Sequence, residues 1–400
     1  MVDGLIFFPY PIDEIAEGSV QIVVPCLKIF ADGTAEHIPS KTPVYYNPQM
    51  ALNRNITILV LRTYQSLVKK ELFICEPLTG SGVRGIRFAA EVNGVKSVVM
   101  NDLNPLAAKL ARYNVKKNAL DHKIIVENMD ANYLLSNFTF PAKRFDVIDI
   151  DPFGSPSIFI DTALRALRNK GLLALTATDT APLCGVKPQA CIRKYFSKPL
   201  RTEYCHELAI RILLSYLNFT AAKYDLHVQV LFSFYAHHYV RVYTQINHSA
   251  ETANKTLKEI GYIFHCFNCL HREWTFGFIN VKEPKCFVCG GKMSVSGPLW
   301  LGELANKNFI LNMLADEKGN EFQRELKIIR DILKECDAPP TYYALNRLSK
   351  KLNIPSPRKV NVIKKLVDQG YQAFPTHFDS QGIKSNSPIS VIEQALNTSV

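Results

Sequence analysis

Three groups of residues in this chain have the types and spacing that chemistry requires. Gly80-Ser81-Gly82-Val83-Arg84-Gly85 fits the pattern G-x-G-x-x-G, and Asp102 follows at the spacing of about 20 residues that an acidic partner to such a turn takes. Asp149-Ile150-Asp151-Pro152-Phe153-Gly154-Ser155-Pro156 places two carboxylates, a proline and an aromatic ring in one short run. Cys266-x-x-Cys269 and Cys286-x-x-Cys289 form two knuckles separated by sixteen residues.

A glycine turn after a first strand, with Gly80 and Gly82 free of side chains, lets a nucleoside cofactor approach the backbone. An acidic residue ending the second strand, here Asp102, accepts the ribose hydroxyls. A nicotinamide oxidoreductase needs both features. So does an enzyme that uses S-adenosyl-L-methionine, which carries no pyrophosphate. The run at Asp151 favours the second reading. An exocyclic amine conjugated to its ring is a poor nucleophile. A base lying against Phe153, with its amino group donating to the Asp151 carboxylate and a neighbouring carbonyl beside Pro152, has its nitrogen lone pair aimed at an electrophilic methyl group. That is catalysis by positioning and charge stabilisation.

The four knuckle cysteines have the spacing of a zinc ribbon. Four thiolates close a tetrahedron and leave no open position for water, so a Zn2+ ion here is structural. Four free thiols and an iron centre of rubredoxin type are the alternatives. Gly290-Gly291 supplies a flexible turn after the second knuckle. His265 and His271 are read as outer neighbours or surface residues rather than ligands. Cys26, Cys75, Cys184, Cys191, Cys205 and Cys336 are scattered, with Cys75 in an apolar run suited to a core.

The elements that must hold these groups alternate strand and helix. Leu72–Glu76, Ser97–Asp102, Lys123–Glu127, Phe145–Ile150 and Gly171–Thr178 read as strands. Helices are expected from Ile56 to Lys70, through Ile86–Glu91, over Pro105–Asn118, where Pro105 suits a first turn, and over Phe159–Arg168. This is an α/β, doubly wound, Rossmann-like pattern with the strand carboxyl ends on one ligand-binding edge. Gln21–Pro25 reads as a strand before it, with a turn at Ala31-Asp32-Gly33-Thr34. Val228–Tyr235 and Tyr239–Tyr243 read as neighbouring strands after it. The tail has helices at Ala344–Leu352 and Lys359–Asp368 joined by Asn353–Pro357, then a hairpin near Gly370–Lys384. That is the order of a helix-turn-helix with a wing, an α+β, winged-helix-like domain. The division expected is 1–260 for an N-terminal extension and the cofactor-binding domain, 261–295 for the zinc module, and 296–400 for a C-terminal domain.

The net charge of +11 suits a polyanionic partner. Between Thr341 and Tyr371 there are seven Lys or Arg and one acid, Asp368. Gly185–Arg201 carries five cations, no acid, and Tyr195 and Phe196 among them. Both stretches are expected to meet nucleic acid. The alternative for the tail is a solvated basic face, and a DNA-binding regulator is the competing reading of the whole chain. No apolar run reaches membrane-spanning length. Nothing at Met1-Val2-Asp3-Gly4-Leu5 resembles a secretory signal, so a cytoplasmic protein with no membrane contact and no obligate protein partner is expected.

Asp151-Pro152-Phe153-Gly154-Ser155-Pro156 resembles the signature of the tRNA guanine-26 N2-dimethyltransferases, in the prokaryotic or archaeal form with a four-cysteine module. So do Tyr45-Tyr46-Asn47-Pro48-Gln49-Met50 with Asn53-Arg54, Thr79–Arg87, Asn101-Asp102, and Thr176–Gly185. The resemblance runs in order from about Val44 to the tail. It implies S-adenosylmethionine-dependent mono- and dimethylation of a guanine N2 in tRNA. It assigns Arg54, Arg84, Asp102, Asp130 and Ala131 to the cofactor. On that assignment Arg54 and Arg84 grip the methionine carboxylate, Asp102 the ribose, and Asp130 with Ala131 the adenine edge. Asp151 holds the target amine, with Phe153 and Tyr45 stacked on the guanine. Two departures stand out: Asn53-Arg54-Asn55 where Asn-Arg-Asp is expected, and Glu76-Pro77 where an Asp-Ala pair is expected.

Overall fold

The computed structural model describes residues 8–30, 41–277, 284–315 and 321–398. The expected turn at Ala31–Thr34 lies outside them. The chain forms two compact units. The first comprises Met1–Asp151, Asp161–Leu175 and Ala315–Glu325, and the second comprises Pro152–Ile160, Thr176–Leu314 and Leu326–Val400.

The first unit opens with an antiparallel hairpin, β1 (Ile12–Glu17) and β2 (Val20–Pro25), turned at Gly18 with φ +60°. Helix α1 (Ala51–Val68) starts five residues before the expected Ile56, because Asn47 caps a 3-10 turn at Pro48–Met50 that runs straight into it. Polar Asn53, Arg54, Thr57 and Thr63 are buried in this helix along with its apolar residues.

Strands and helices then alternate: β3 (Leu72–Glu76), α2 (Val83–Glu91), β4 (Val95–Asn101), α3 (Pro105–Lys117), β5 (Ile124–Glu127), α4 (Ala131–Ser136), β6 (Phe145–Ile150), α5 (Ser157–Ala166) and β7 (Leu167–Ala177). The strands pair in parallel in the order β5-β4-β3-β6-β7. β6 is buried at every residue, as a strand covered on both faces must be. The strand order reverses between β3 and β6. The crevice above that switch point is where such sheets bind ligands, and the glycine turn and Asp151 stand at its two sides.

The second unit contains α6 (Thr180–Leu183), α7 (Pro188–Tyr195), the buried helix α8 (Cys205–Ala222), and the antiparallel pair β8 (Leu226–Ala236) and β9 (Tyr239–His248). After α9 (Ala250–Leu257) comes a three-stranded sheet in the order β11-β10-β12, from β10 (Ile260–His265), β11 (Arg272–Phe276) and β12 (Ser294–Trp300). Helices α10 (Lys307–Ala315) and α11 (Gln323–Lys334) lead to the tail. There β13 (Tyr343–Ala344), α12 (Leu345–Leu352), α13 (Lys359–Asp368), β14 (Ala373–Pro375), β15 (Gly382–Ser385) and α14 (Ile389–Asn397) surround a core of their own, built on Leu345, Leu348, Val362, Leu366, Ile383 and Ile392. Among the described residues, no helix is long and apolar enough to cross a membrane.

Candidate active site at the sheet switch point

The glycine turn is built as its spacing predicts. Gly80 and Gly82 have φ of +53° and +85°, in the left-handed region that side chains avoid. A Cβ at Gly80 would lie 2.9 Å from the Tyr45 carbonyl oxygen. Gly85 stands where α2 crosses the sheet, and a Cβ there would lie 2.6 Å from Glu76 Oε2 and 2.7 Å from Met100. Asp102 clasps the turn: one oxygen accepts from Gly80 N at 2.8 Å, the other from Asn104 N at 2.9 Å. Burial raises its carboxyl above the ordinary range, and those two bonds pull it back only in part.

Across the switch point, one guanidinium serves three carboxylates. Arg84 is 3% exposed and donates through Nη2 to Asp151 Oδ2. Its Nη1 lies 3.5 Å from Asp149 Oδ2, and its Nε 3.9 Å from Glu76 Oε1. Asn53 Oδ1 at 3.0 Å and Thr57 Oγ1 at 3.2 Å, both on α1, accept from Nη1. Burial pushes the Glu76 carboxyl up to about 8, against the lowering effects of Arg84 and of hydrogen bonds from Thr79 and Gly85. Asp151 keeps 15% exposure. Tyr45 faces this cluster, and burial followed by the Asp151 charge raises its phenol.

Arg54, near the start of α1, is a buried cation. It is 4% exposed, with Nε and Nη2 on Glu17 at 2.5 and 2.6 Å, and it packs over Tyr46. Glu17 also takes Arg87 at 3.0 Å and the Tyr46 hydroxyl at 3.0 Å. Asn55 explains one departure from the expected motif. It accepts from Arg87 at 2.8 Å and donates to Glu325 at 2.8 Å, and an aspartate could only do the first.

Asp130 caps α4, accepting from Asn132 N and Tyr133 N, which places Ala131 in its first turn with its backbone N–H among the donors that the helix leaves unbonded. Asn101 bridges the strand ends by donating to Pro77 O and Met129 O. In the second unit, Pro152 is buried and Phe153 is 63% exposed. The Gly154 N–H donates to Thr178 Oγ1 at 2.7 Å, and Thr178 N returns a bond to the Gly154 carbonyl at 3.0 Å, which fixes the loop carrying that ring.

The four knuckle cysteines converge, with their sulfurs within 4.8 Å of one another. Cys266–Cys289 and Cys269–Cys286 are each 3.5 Å apart, close to the edge of about 3.8 Å that a tetrahedron with Zn–S bonds near 2.3 Å requires. His265 is buried, not a surface residue: its Nδ1 meets the Tyr204 hydroxyl at 3.1 Å, and burial pushes it down to about 3. His271 is buried as well, at 8% exposure.

The basic stretches divide between structure and surface. Lys194 pairs with Asp179 and keeps 41% of its side chain exposed, whereas Tyr195 is buried between Ser155 and Asp179 and is not at the surface. Lys187, Arg193, Lys198 and Arg201 are exposed, as is Phe196 at 67%. In the tail Arg347 pairs with Glu203 and Lys351 with Glu393, while Lys350, Arg358 and Lys364 are exposed. Not all the remaining cysteines are scattered: Cys184 and Cys205 lie together beside His206.

Residues 18–397 match the family described as N2,N2-dimethylguanosine tRNA methyltransferase. The tRNA (guanine(26)-N(2))-dimethyltransferase of Methanosphaera stadtmanae is 38% identical over 385 residues, covering 96% of each chain. The tRNA (guanine(26)-N(2)/guanine(27)-N(2))-dimethyltransferase of Aquifex aeolicus is 34% identical, covering 93% of this chain and 92% of its own. The solved structure of Trm1 from Pyrococcus horikoshii with S-adenosyl-L-methionine superposes with a TM-score of 0.83 at 33% identity, covering 96% of this chain and 99% of the other. With the Rossmann-like sheet, the glycine turn and the Asp151 loop already in place, these likenesses show that the chain belongs to the N2,N2-dimethylguanosine tRNA methyltransferase family.

Proposed function

We propose that this protein methylates the exocyclic N2 of a guanine in tRNA, at position 26, using S-adenosyl-L-methionine as the donor. The observation that carries the reading is Asp151, a partly exposed carboxylate at the end of β6, held by a buried arginine and followed by an exposed aromatic ring. The cofactor supplies an electrophilic methyl group on a cationic sulfonium, and a crevice lined by Glu76, Asp102, Asp149 and Asp151 suits that charge.

The fit to the cofactor rests on the side-chain-free turn at Gly80 and Gly82, the Asp102 carboxylate beside it, and the N–H of Ala131 in the first turn of α4. Asp102 takes the ribose, and Asp130 with Ala131 takes the adenine edge. Arg54 and Arg84 serve the methionine carboxylate. Arg54 spends Nε and Nη2 on Glu17, so its Nη1 edge is the one assigned to the cofactor. Asp151, with the backbone at Pro152, accepts from the guanine amino group and stabilises positive charge developing on it. Phe153 and Tyr45 hold the guanine ring. Excluding water from such a site strengthens each of these bonds.

Residues 1–260 are assigned to methyl transfer, 261–295 to a structural Zn2+ held by Cys266, Cys269, Cys286 and Cys289, and 296–400 to tRNA binding through a winged-helix-like arrangement. Exposed Lys350, Arg358 and Lys364 supply phosphate contacts. The protein is assigned to the cytoplasm. The decisive experiment incubates unfractionated tRNA with the protein and labelled donor, then identifies the methylated nucleoside. N2-methylguanosine and N2,N2-dimethylguanosine are the expected products. Label in DNA or ribosomal RNA alone would overturn the substrate, and no transfer at all would overturn the reaction.

A further inference from the structure

Outside the four-cysteine knuckles, the second unit holds another cluster of soft donors. Cys184 follows α6 as its C-cap, and Cys205 and His206 are the first two residues of α8. The two sulfurs and an imidazole nitrogen all lie within 4.8 Å of one another. Ligands of one Zn2+ ion stand about 3.3–3.8 Å apart, given Zn–S near 2.3 Å and Zn–N near 2.0–2.1 Å, so the three donors close on an ion by small side-chain adjustments. The His206 ring is held for this by stacking flat on Tyr235, with centroids 3.8 Å apart and planes 9° from parallel. The first turn of an 18-residue helix favours negative charge on Cys205. The cluster opens on a cavity of about 780 Å³, which His238 and Asp379 also line.

We propose that Cys184, Cys205 and His206 form a second zinc site, with its fourth position turned to this cavity. Binding deprotonates both thiols, so two protons pass to water for each ion bound, and no electron is transferred. Two thiolates and an imidazole are a borderline-soft set suited to Zn2+ rather than to Mg2+ or Ca2+.

The position of the site gives it a task. Between Cys184 and Cys205 the chain leaves as a loop that carries α7, exposed Lys187, Arg193, Lys198 and Arg201, and exposed Phe196. The loop already has a narrow neck: a Cβ on Gly185 would lie 2.7 Å from Arg201 N and 2.8 Å from Leu200 C. An ion joining Cys184 to Cys205 clamps that neck and removes the freedom of the loop ends, as a cross-link does. The metal thus orders the basic loop without touching the reacting atoms.

The test uses the full chain, equilibrated with zinc under reducing conditions and freed of excess ion, with bound zinc measured by elemental analysis. Cys205→Ser and, separately, His206→Ala should each hold about one zinc per chain fewer than wild type, with the far-ultraviolet circular dichroism unchanged. Cys266→Ser reports the knuckle site independently, so failure of either site reads out alone. Trypsin should cut within Lys187–Arg201 several-fold faster in Cys205→Ser and in zinc-stripped wild type, and at the wild-type rate in zinc-loaded Cys266→Ser. Equal zinc content in wild type, Cys205→Ser and His206→Ala would overturn the site. So would a Cys184–Cys205 disulfide in the zinc-equilibrated protein. Unchanged cleavage in a variant that has lost its zinc would overturn the clamp.

Discussion

Arg84 holds Asp151 with one end of its guanidinium and is itself held by Asn53 and Thr57 at the other. The carboxylate proposed to receive the guanine amine therefore has its position set through a helix, α1, that carries no reacting group. Replacing Asp151 by Asn keeps a hydrogen-bond acceptor and removes the charge that stabilises the attacking nitrogen. We expect Asp151→Asn to lower kcat by about 100- to 1,000-fold, the scale of losing one transition-state electrostatic contact, with cofactor affinity nearly unchanged. Single-turnover transfer and cofactor binding by calorimetry check this. A parallel loss of cofactor affinity would move Asp151 into the cofactor site.

Glu76 should govern an alkaline loss of stability. Burial raises its carboxyl to about 8, above the ordinary value near 4.3, so the folded protein keeps a proton that the unfolded chain has released. That contribution is complete below about 4.3 and is lost as pH rises through about 8. Glu76→Gln can still accept from Thr79 and Gly85 and has no proton to lose. It should match wild type at low pH and exceed it in stability above neutrality. Melting temperatures of both proteins between pH 5 and pH 9 give the comparison, and two parallel curves would count against a protonated Glu76.

Gly85→Ala tests the third glycine of the turn. The added methyl meets Glu76 Oε2 at 2.6 Å and Met100 at 2.7 Å, and neither can withdraw far inside a packed sheet. We expect a loss of about 1–3 kcal/mol in stability, as for other overpacked cores. Cofactor affinity should fall with it, since α2 carries Arg84. Denaturant unfolding measures the first effect and calorimetry the second.

Much of this site is legible in the sequence because its parts are local. A glycine turn, an Asp-Pro-Phe-Gly loop and paired cysteines each announce themselves within a few residues. The five strands of the parallel sheet are likewise legible from apolar runs cut by turns. What is not legible depends on residues far apart in the chain. Glu17 and Arg54 are 37 residues apart, and nothing local marks Glu17 as the partner that buries an arginine. Cys184 and Cys205 look scattered because α7 lies between them. Tyr195 and Phe196 are neighbours in a basic stretch, yet one is core and the other surface, because α7 ends at Tyr195 and Phe196 takes a left-handed φ of 53° beyond it.

Removing the zinc proposed for the knuckles should weaken the fold and spare the chemistry. Cys266→Ser with Cys269→Ser leaves two thiols that cannot close a tetrahedron, and the small core of Phe264, Met293 and Cys286 loses its anchor. The melting temperature should drop by several degrees, while kcat per folded molecule stays at the wild-type value. A variant as stable as wild type yet inactive would overturn the structural role.

The acid limb of stability should trace to Glu335. Burial alone would raise this carboxyl, but His377 and Lys384, with hydrogen bonds from His377 and Thr376, bring it down to about 2. The unfolded value is near 4.3, so the folded state favours the charged form. The sign follows: the stabilisation is fully present above about 4.3 and is lost as pH falls toward about 2. Glu335→Gln removes the charge and leaves Lys384 paired with Glu207 at 3.0 Å. The variant should be less stable than wild type at neutral pH, and the gap should narrow steadily from pH 4 downward. Urea unfolding at pH 7, 4 and 3 resolves the trend. A gap that stays constant would show that packing around Glu335, rather than its charge, sets its contribution.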